Sequence, residues 1–173
     1  LQAIAMLLRL QVAQADNLTP QDILNETINR VLSIATVHEI LAQDHHAQVS
    51  LKQLVQQVAK LIEMNMTINR QIRISVAGDD LRLSSQTATN LALITNELLQ
   101  NAIEHSFLQQ KSGCIHISLA RTDHQLWLNV IDDRHGLPAK FSLETDRGLG
   151  LDLVYTMVIE DLEGSFELEP APG

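Results

Sequence analysis

The spacing of apolar residues changes once along the chain, and that change limits what it can fold into. Up to Ile62 they recur every three or four residues, the period of a helix face. From Gln71 onward, segments that alternate every second residue, the period of a strand, are interspersed with helical ones. A helical first part is therefore followed by a part in which strands and helices interleave.

Leu1, Ile4, Leu8 and Val12 open the chain inside an amphipathic helix that ends at "DNLTP". Thr19 caps a second helix with Pro20 at its first position, where a proline costs no hydrogen bond. Leu24, Ile28, Val31, Ile34, His38 and Leu41 trace a seam along it at the spacing of a bundle interface. Two such helices joined by a short loop form an antiparallel hairpin. A lone hairpin buries little, so pairing with a second copy into a dimeric four-helix bundle is the expected completion. The pattern is already under way at Leu1, so a longer parent protein is expected, and a sensor domain or membrane anchor upstream would not be visible in these residues.

The polar run "QDHHAQVS" reads as a linker and divides the chain into 1–48, the hairpin, and 49–173, a second domain. Ser50 caps a helix striped by Leu51, Leu54, Val55, Val58, Leu61 and Ile62. "QIRISVAG" alternates as a strand, "LRLSS" is a shorter one, and a long helix runs from about Gln86 to His105. "CIHISLARTDHQLWLNVID" is two strands joined at "TDHQ", with Ile115, Ile117 and Leu119 answered by Leu126, Leu128 and Val130. A helix starting near Gly148 or Gly150 and a closing strand "SFELEP" complete the pattern. The expected fold class is α+β: the hairpin, then an α/β sandwich on a mixed, largely antiparallel sheet, not a doubly wound parallel one.

Composition narrows the partners. The net charge of -9 argues against a broad nucleic-acid or anionic-membrane footprint, and an aromatic content of 3% offers little surface for stacking bases. An anionic ligand would need backbone NH groups or a metal. The lone Cys114 excludes an internal disulfide and, opening an apolar alternating run, reads as a buried structural thiol. No apolar run approaches the roughly 20 residues that span a bilayer, so no membrane contact is expected within the chain.

Three segments, far apart in sequence, carry residues suited to chemistry. In "NELLQNAIEHSF", Glu97, Asn101 and His105 recur every four residues and share one ridge of an otherwise apolar helix. In "VIDDRHGLP", Asp132 follows a buried strand, where a carboxylate needs a donor, either a ligand amino group or its own turn backbone. In "DRGLGLDLV", glycines at a helix start allow a phosphate to approach unpaired NH groups, or simply make the start flexible. A Rossmann fingerprint lacks its third glycine here, and a P-loop lacks its Gly-Lys-Ser/Thr ending.

Together these segments resemble the N, G1 and G2 boxes of the GHKL ATPase superfamily, specifically the sensor histidine kinases. The opening "LQAIAMLLRLQ" with "INRVLSIATVHEILAQ" resembles the dimerisation hairpin of their second HisKA subfamily, so the likeness covers nearly the whole chain. It implies ATP and Mg²⁺ as ligands. Asn101 would hold Mg²⁺ bridging the phosphates, Glu97 would polarise the attacking group or water, and Asp132 would read the adenine amino group. Gly136, Gly148 and Gly150 would shape the lid and phosphate contacts, with Arg147 a lid cation. His105 would touch phosphate or cap its helix. An amide oxygen suits Mg²⁺, which keeps waters and takes few protein ligands. Two positions depart from the family: Arg134 replaces the first glycine of the G1 box, and Glu104 stands where many relatives carry a lysine. The usual Gly-Thr strand after "PAPG" is also expected to be missing.

The implied function is the kinase core of a cytoplasmic two-component sensor, homodimeric through its hairpin, phosphorylating a histidine and then an aspartate on a response-regulator receiver domain. The acceptor histidine is expected before Leu1, leaving this piece inactive in autophosphorylation. His38 lies on the apolar seam and reads as structural; His45, His46, His116, His124 and His135 read as surface residues. The alternative is a GHKL-like adaptor that has lost ATP binding and serves dimerisation or regulator docking. An anti-sigma type serine kinase would lack the hairpin.

Overall fold

The protein's structure is a computed structural model that describes Ala35 and residues 48–66, 71–107, 112–123, 125–133, 141–143 and 148–169. The hairpin expected over 1–48 lies, apart from Ala35 and Gln48, outside the described residues, as do His38, His45, His46, His124, Arg134, His135, Gly136 and Arg147.

The first strand arises where a linker was expected. β1 (Gln48–Ser50) pairs antiparallel with β3 (Arg82–Ser84), Val49 opposite Leu83. Polar composition concealed it, because a strand of three residues needs only one apolar side chain, and Val49 is that residue, buried in the core. Ser50 then starts α1 (Leu51–Met66) as expected: its Oγ accepts the Gln53 N–H at 3.2 Å and donates to Asp80. Leu51, Leu54, Val55, Val58 and Ile62 form the buried stripe of α1.

β2 (Gln71–Gly78) pairs in parallel with β4 (Ser112–Arg121), and β4 pairs antiparallel with β5 (Leu126–Asp132), giving the order β2-β4-β5. Parallel neighbours need a long crossover, here supplied by β3 and α2 (Ser85–Asn101). Ser84 caps α2 by accepting the Thr87 N–H at 3.2 Å. A π-helical turn, Ala102–Ser106, extends α2, and α3 (Leu149–Thr156) likewise ends in a π turn, Met157–Asp161. The three-stranded sheet is mixed, one pairing parallel and one antiparallel, and β1 with β3 forms a separate two-stranded antiparallel sheet.

The inner face of the sheet carries Ile115, Ile117 and Leu119, with Val130 opposite Ile117 and Leu128 opposite Leu119. α1 and α2 pack on each other, α1 lies against β2, and α2 touches β5 and α3. α2 is consequently the most enclosed element, buried at almost every position from Ala88 to Glu97.

Three expectations are corrected. Cys114 is exposed, because period-two alternation that turns Ile115 inward turns its neighbour outward. "LWLNVI" is buried on one side only: Trp127 and Ile131 are 49% and 51% exposed on the outer face. "SFELEP" joins no ladder among the described residues. Phe166 packs against the core while Glu167 and Glu169 face solvent, so side-chain alternation is present without the backbone pairing that defines a strand. Among the described residues no helix is long and apolar enough to cross a membrane.

Candidate functional site

Because α2 is covered on several sides, its polar residues are forced into the interior. Asn90, Thr95, Asn96 and Glu97 are all buried. Two of them are satisfied locally: the Thr95 hydroxyl donates to the Leu91 carbonyl at 2.7 Å, and Asn90 Oδ1 accepts from Gln86 Nε2 at 3.4 Å. Two amide groups are not. The buried Nδ2 atoms of Asn96 and Asn101 have no hydrogen-bond partner among the described residues. A buried amide donor left unpaired costs roughly 1–3 kcal/mol. At Asn101, on the last residue of α2, a ligand acceptor would remove that cost.

The π turn begins at the next residue. Continued as an α-helix, the chain would set Ser106 roughly 140° around the axis from Asn101; the wider turn of i→i+5 bonding reduces that angle. Ser106 Oγ donates to Asp132 Oδ2 at 3.1 Å, joining the end of α2 to the end of β5. Asp132 is the last residue of β5, not the one after it, and continues the inward row of Leu126, Leu128 and Val130. Its carboxylate therefore faces the helical layer, half-buried, whereas Asp133 is exposed and bonds through its N–H to the Cys114 carbonyl at 3.1 Å.

The third segment starts α3. Gly148, the residue before it, is exposed and extended, and a Cβ built on it would meet nothing within 4 Å. No side chain caps this helix start among the described residues. A helix start with no side-chain cap is a favourable place for an anion, through its first-turn NH groups and the helix dipole. Gly150 is buried within that first turn.

Glu97, Asn101, Asp132, Gly148 and Gly150 thus lie on three elements that meet at α2, with β5 tied to it by Ser106 and α3 packed against it. His105 and Glu104 are exposed on the π turn, and Glu104 is held by an interaction within the fold. Ser106 and Asn96 were not singled out by the sequence. Counting fours from Asn101 selects His105, and only the π turn brings Ser106 to the carboxylate.

The residues fit a magnesium nucleotide. Asn101 combines a hard amide oxygen with an unpaired donor, and Asp132 presents an acceptor on the same side of the sheet. Mg²⁺ takes few protein ligands and keeps most of its waters, so a single amide oxygen suits it.

Comparison with known families decides the lineage. Residues 1–66 match the histidine kinase model of the HisKA_2 type, and residues 86–173 match the histidine kinase-, DNA gyrase B- and HSP90-like ATPase model. The chain belongs to these ATPases, on their histidine kinase branch. It is 38% identical over 99% of its length to the sensor histidine kinase PdtaS of Mycolicibacterium smegmatis, covering 35% of that protein. PdtaS of Mycobacterium tuberculosis is also 38% identical over 99% of the chain, with 34% of that protein covered. The chain therefore spans about a third of the length of the curated relatives it matches. Among solved structures, the Erythrobacter litoralis EL346 blue-light-activated histidine kinase aligns with a TM-score of 0.69 at 19% identity, over 94% of this chain and 56% of that one. Its isolated kinase domain gives 0.64 at 23% identity, over 76% and 63%. These likenesses establish a shared GHKL fold.

Proposed function

We propose that this chain is the Mg-ATP-dependent kinase core of a two-component sensor, divided into a dimerisation hairpin over 1–48 and an ATP-binding domain over 49–173. The observation that carries the reading is the buried, unpaired amide of Asn101, one π turn before the Ser106–Asp132 hydrogen bond. Asn101 Oδ1 would hold Mg²⁺, and its Nδ2 would donate to a phosphate oxygen. When bound, the metal neutralises charge on the phosphates, which an acidic protein would otherwise repel. Asp132 accepts the amino group of adenine. The NH groups at the start of α3, approached past Gly148 and Gly150, hold phosphate oxygens, with Gly136 and Arg147 assigned to the lid. Glu97, one helical turn before Asn101, orients the attacking imidazole and accepts its proton. His105 takes the phosphate edge or caps the turn.

The reaction breaks the bond between the γ-phosphorus and the oxygen leaving with ADP and forms a phosphorus–nitrogen bond on a histidine. The phosphoryl group then passes to an aspartate of a receiver domain. Such transfer depends mainly on positioning and electrostatic stabilisation, in line with a site of few side chains. The parent protein acts as a homodimer in the cytoplasm, where ATP and a receiver domain are available.

Titrating Mg-ADP while following thermal unfolding tests this. A ligand at 100 times its dissociation constant adds about 2.7 kcal/mol of stability. No shift at millimolar ligand would favour the second reading, a GHKL-like adaptor without ATP binding, to which Arg134 and Glu104 would then belong.

A further inference from the structure

Ser106 belongs to no box that the sequence suggests, yet its side chain ties the π turn that extends α2 to the end of β5. It is half-buried on the π turn, 26 residues from its partner, and its hydroxyl donates to Asp132 Oδ2 at 3.1 Å. The terminal torsion of an aspartate is broad, so a carboxylate on a strand end is not oriented by rotamer preference alone. A donor fixed on one oxygen restricts that rotation and settles which lone-pair directions face the ligand. A serine hydroxyl also keeps acceptor capacity of its own while donating.

We propose that Ser106 is a positioning residue for base selection: it holds the Asp132 carboxylate in the orientation that accepts a 6-amino purine and rejects a 6-oxo purine. This rests on the reading of Asp132 as the base contact. An exocyclic amino group donates to a carboxylate, whereas a 6-oxo group presents a second acceptor and is repelled. A carboxylate that can turn away relieves the repulsion and weakens the attraction together. Loss of Ser106 therefore lowers discrimination as well as affinity. The π turn is the structural device that makes this possible, because it starts directly after Asn101 and ends on Ser106.

The test is calorimetric titration of Mg-ADP and Mg-IDP into the 173-residue chain and its Asp132→Asn, Ser106→Ala and Ser106→Thr variants, with the unliganded unfolding midpoint of each. Asp132→Asn should abolish the preference for ADP. Ser106→Ala should weaken ADP about tenfold and reduce the ADP-to-IDP ratio by a similar factor, the weight of one hydrogen bond to a charged group. Ser106→Thr, which keeps the hydroxyl, should restore both to within about threefold of wild type. If Asp132→Asn binds ADP and IDP as wild type does, the base reading itself fails and the proposal with it. If Asp132→Asn loses the preference but Ser106→Ala keeps wild-type affinity and ratio, Ser106 is not a positioning residue. A fall in affinity for both nucleotides alike, with an unchanged ratio and a lowered unliganded midpoint in Ser106→Ala, would show a structural role only and overturn the proposal.

Discussion

Gly78 ends β2 against the backbone of Leu119 in β4, so closely that a Cβ on Gly78 would lie 1.9 Å from the Leu119 carbonyl oxygen. Its φ of +102° is also one that side-chain-bearing residues avoid. Asp79 then bonds through its N–H to that same carbonyl at 2.9 Å, closing the parallel ladder. Gly78→Ala is therefore expected to lose roughly 2–4 kcal/mol in a urea titration, through both strain and separation of β2 from β4.

Glu163 presents the opposite case. It follows the second π turn with φ 51°, a left-handed conformation normally left to glycine at a helix end. Glu163 is exposed. Replacing it with glycine should raise stability by about 0.5–1 kcal/mol, readable as an increased urea midpoint at unchanged slope.

Much of the fold was legible because its signals are periodic. The alternation of Ile115, Ile117 and Leu119 against Leu128 and Val130 gave β4 and β5 with their inner face, and Ser50 marked the start of α1. What escaped depends on tertiary pairing. β1 rests on one valine meeting β3, and "SFELEP" alternates correctly yet finds no ladder. At the candidate site, the spacing of four that picked out Glu97, Asn101 and His105 assumes an unbroken α-helix. The π turn after Asn101 changes the phase, leaving His105 exposed and giving Ser106 the inward role. No local residue preference announces such a turn, so Ser106 could be found only from the structure.

Asn101→Ala separates binding from folding. It removes a buried donor that has no partner and substitutes the best helix former, so the unliganded protein should gain about 1 kcal/mol. The increment of stability that Mg²⁺ adds in the presence of ADP should disappear. Differential scanning calorimetry with and without Mg-ADP reads both effects, and a variant that is less stable without ligand would show that Asn101 serves the fold.

Gly148→Ala makes a parallel separation at the other end of the site. Gly148 has φ −79° and open space where a Cβ would stand, so nothing among the described residues requires glycine there. The variant should keep or slightly raise unliganded stability, by up to about 1 kcal/mol. Its affinity for Mg-ADP should fall at least about tenfold if phosphates approach the backbone as closely as proposed. Titration calorimetry against the wild-type chain checks this.

The central claim is that an adenine nucleotide with Mg²⁺ occupies the space between the end of α2, the end of β5 and the start of α3. Backbone amide NMR of the chain during Mg-ADP titration tests it most directly. Saturable shifts at Asn101, Ser106, Asp132, Gly148 and Gly150, with Arg73, Cys114 and Trp127 on the outer sheet face unmoved, is the result expected. Shifts confined to the outer face, or none at millimolar Mg-ADP, would contradict it.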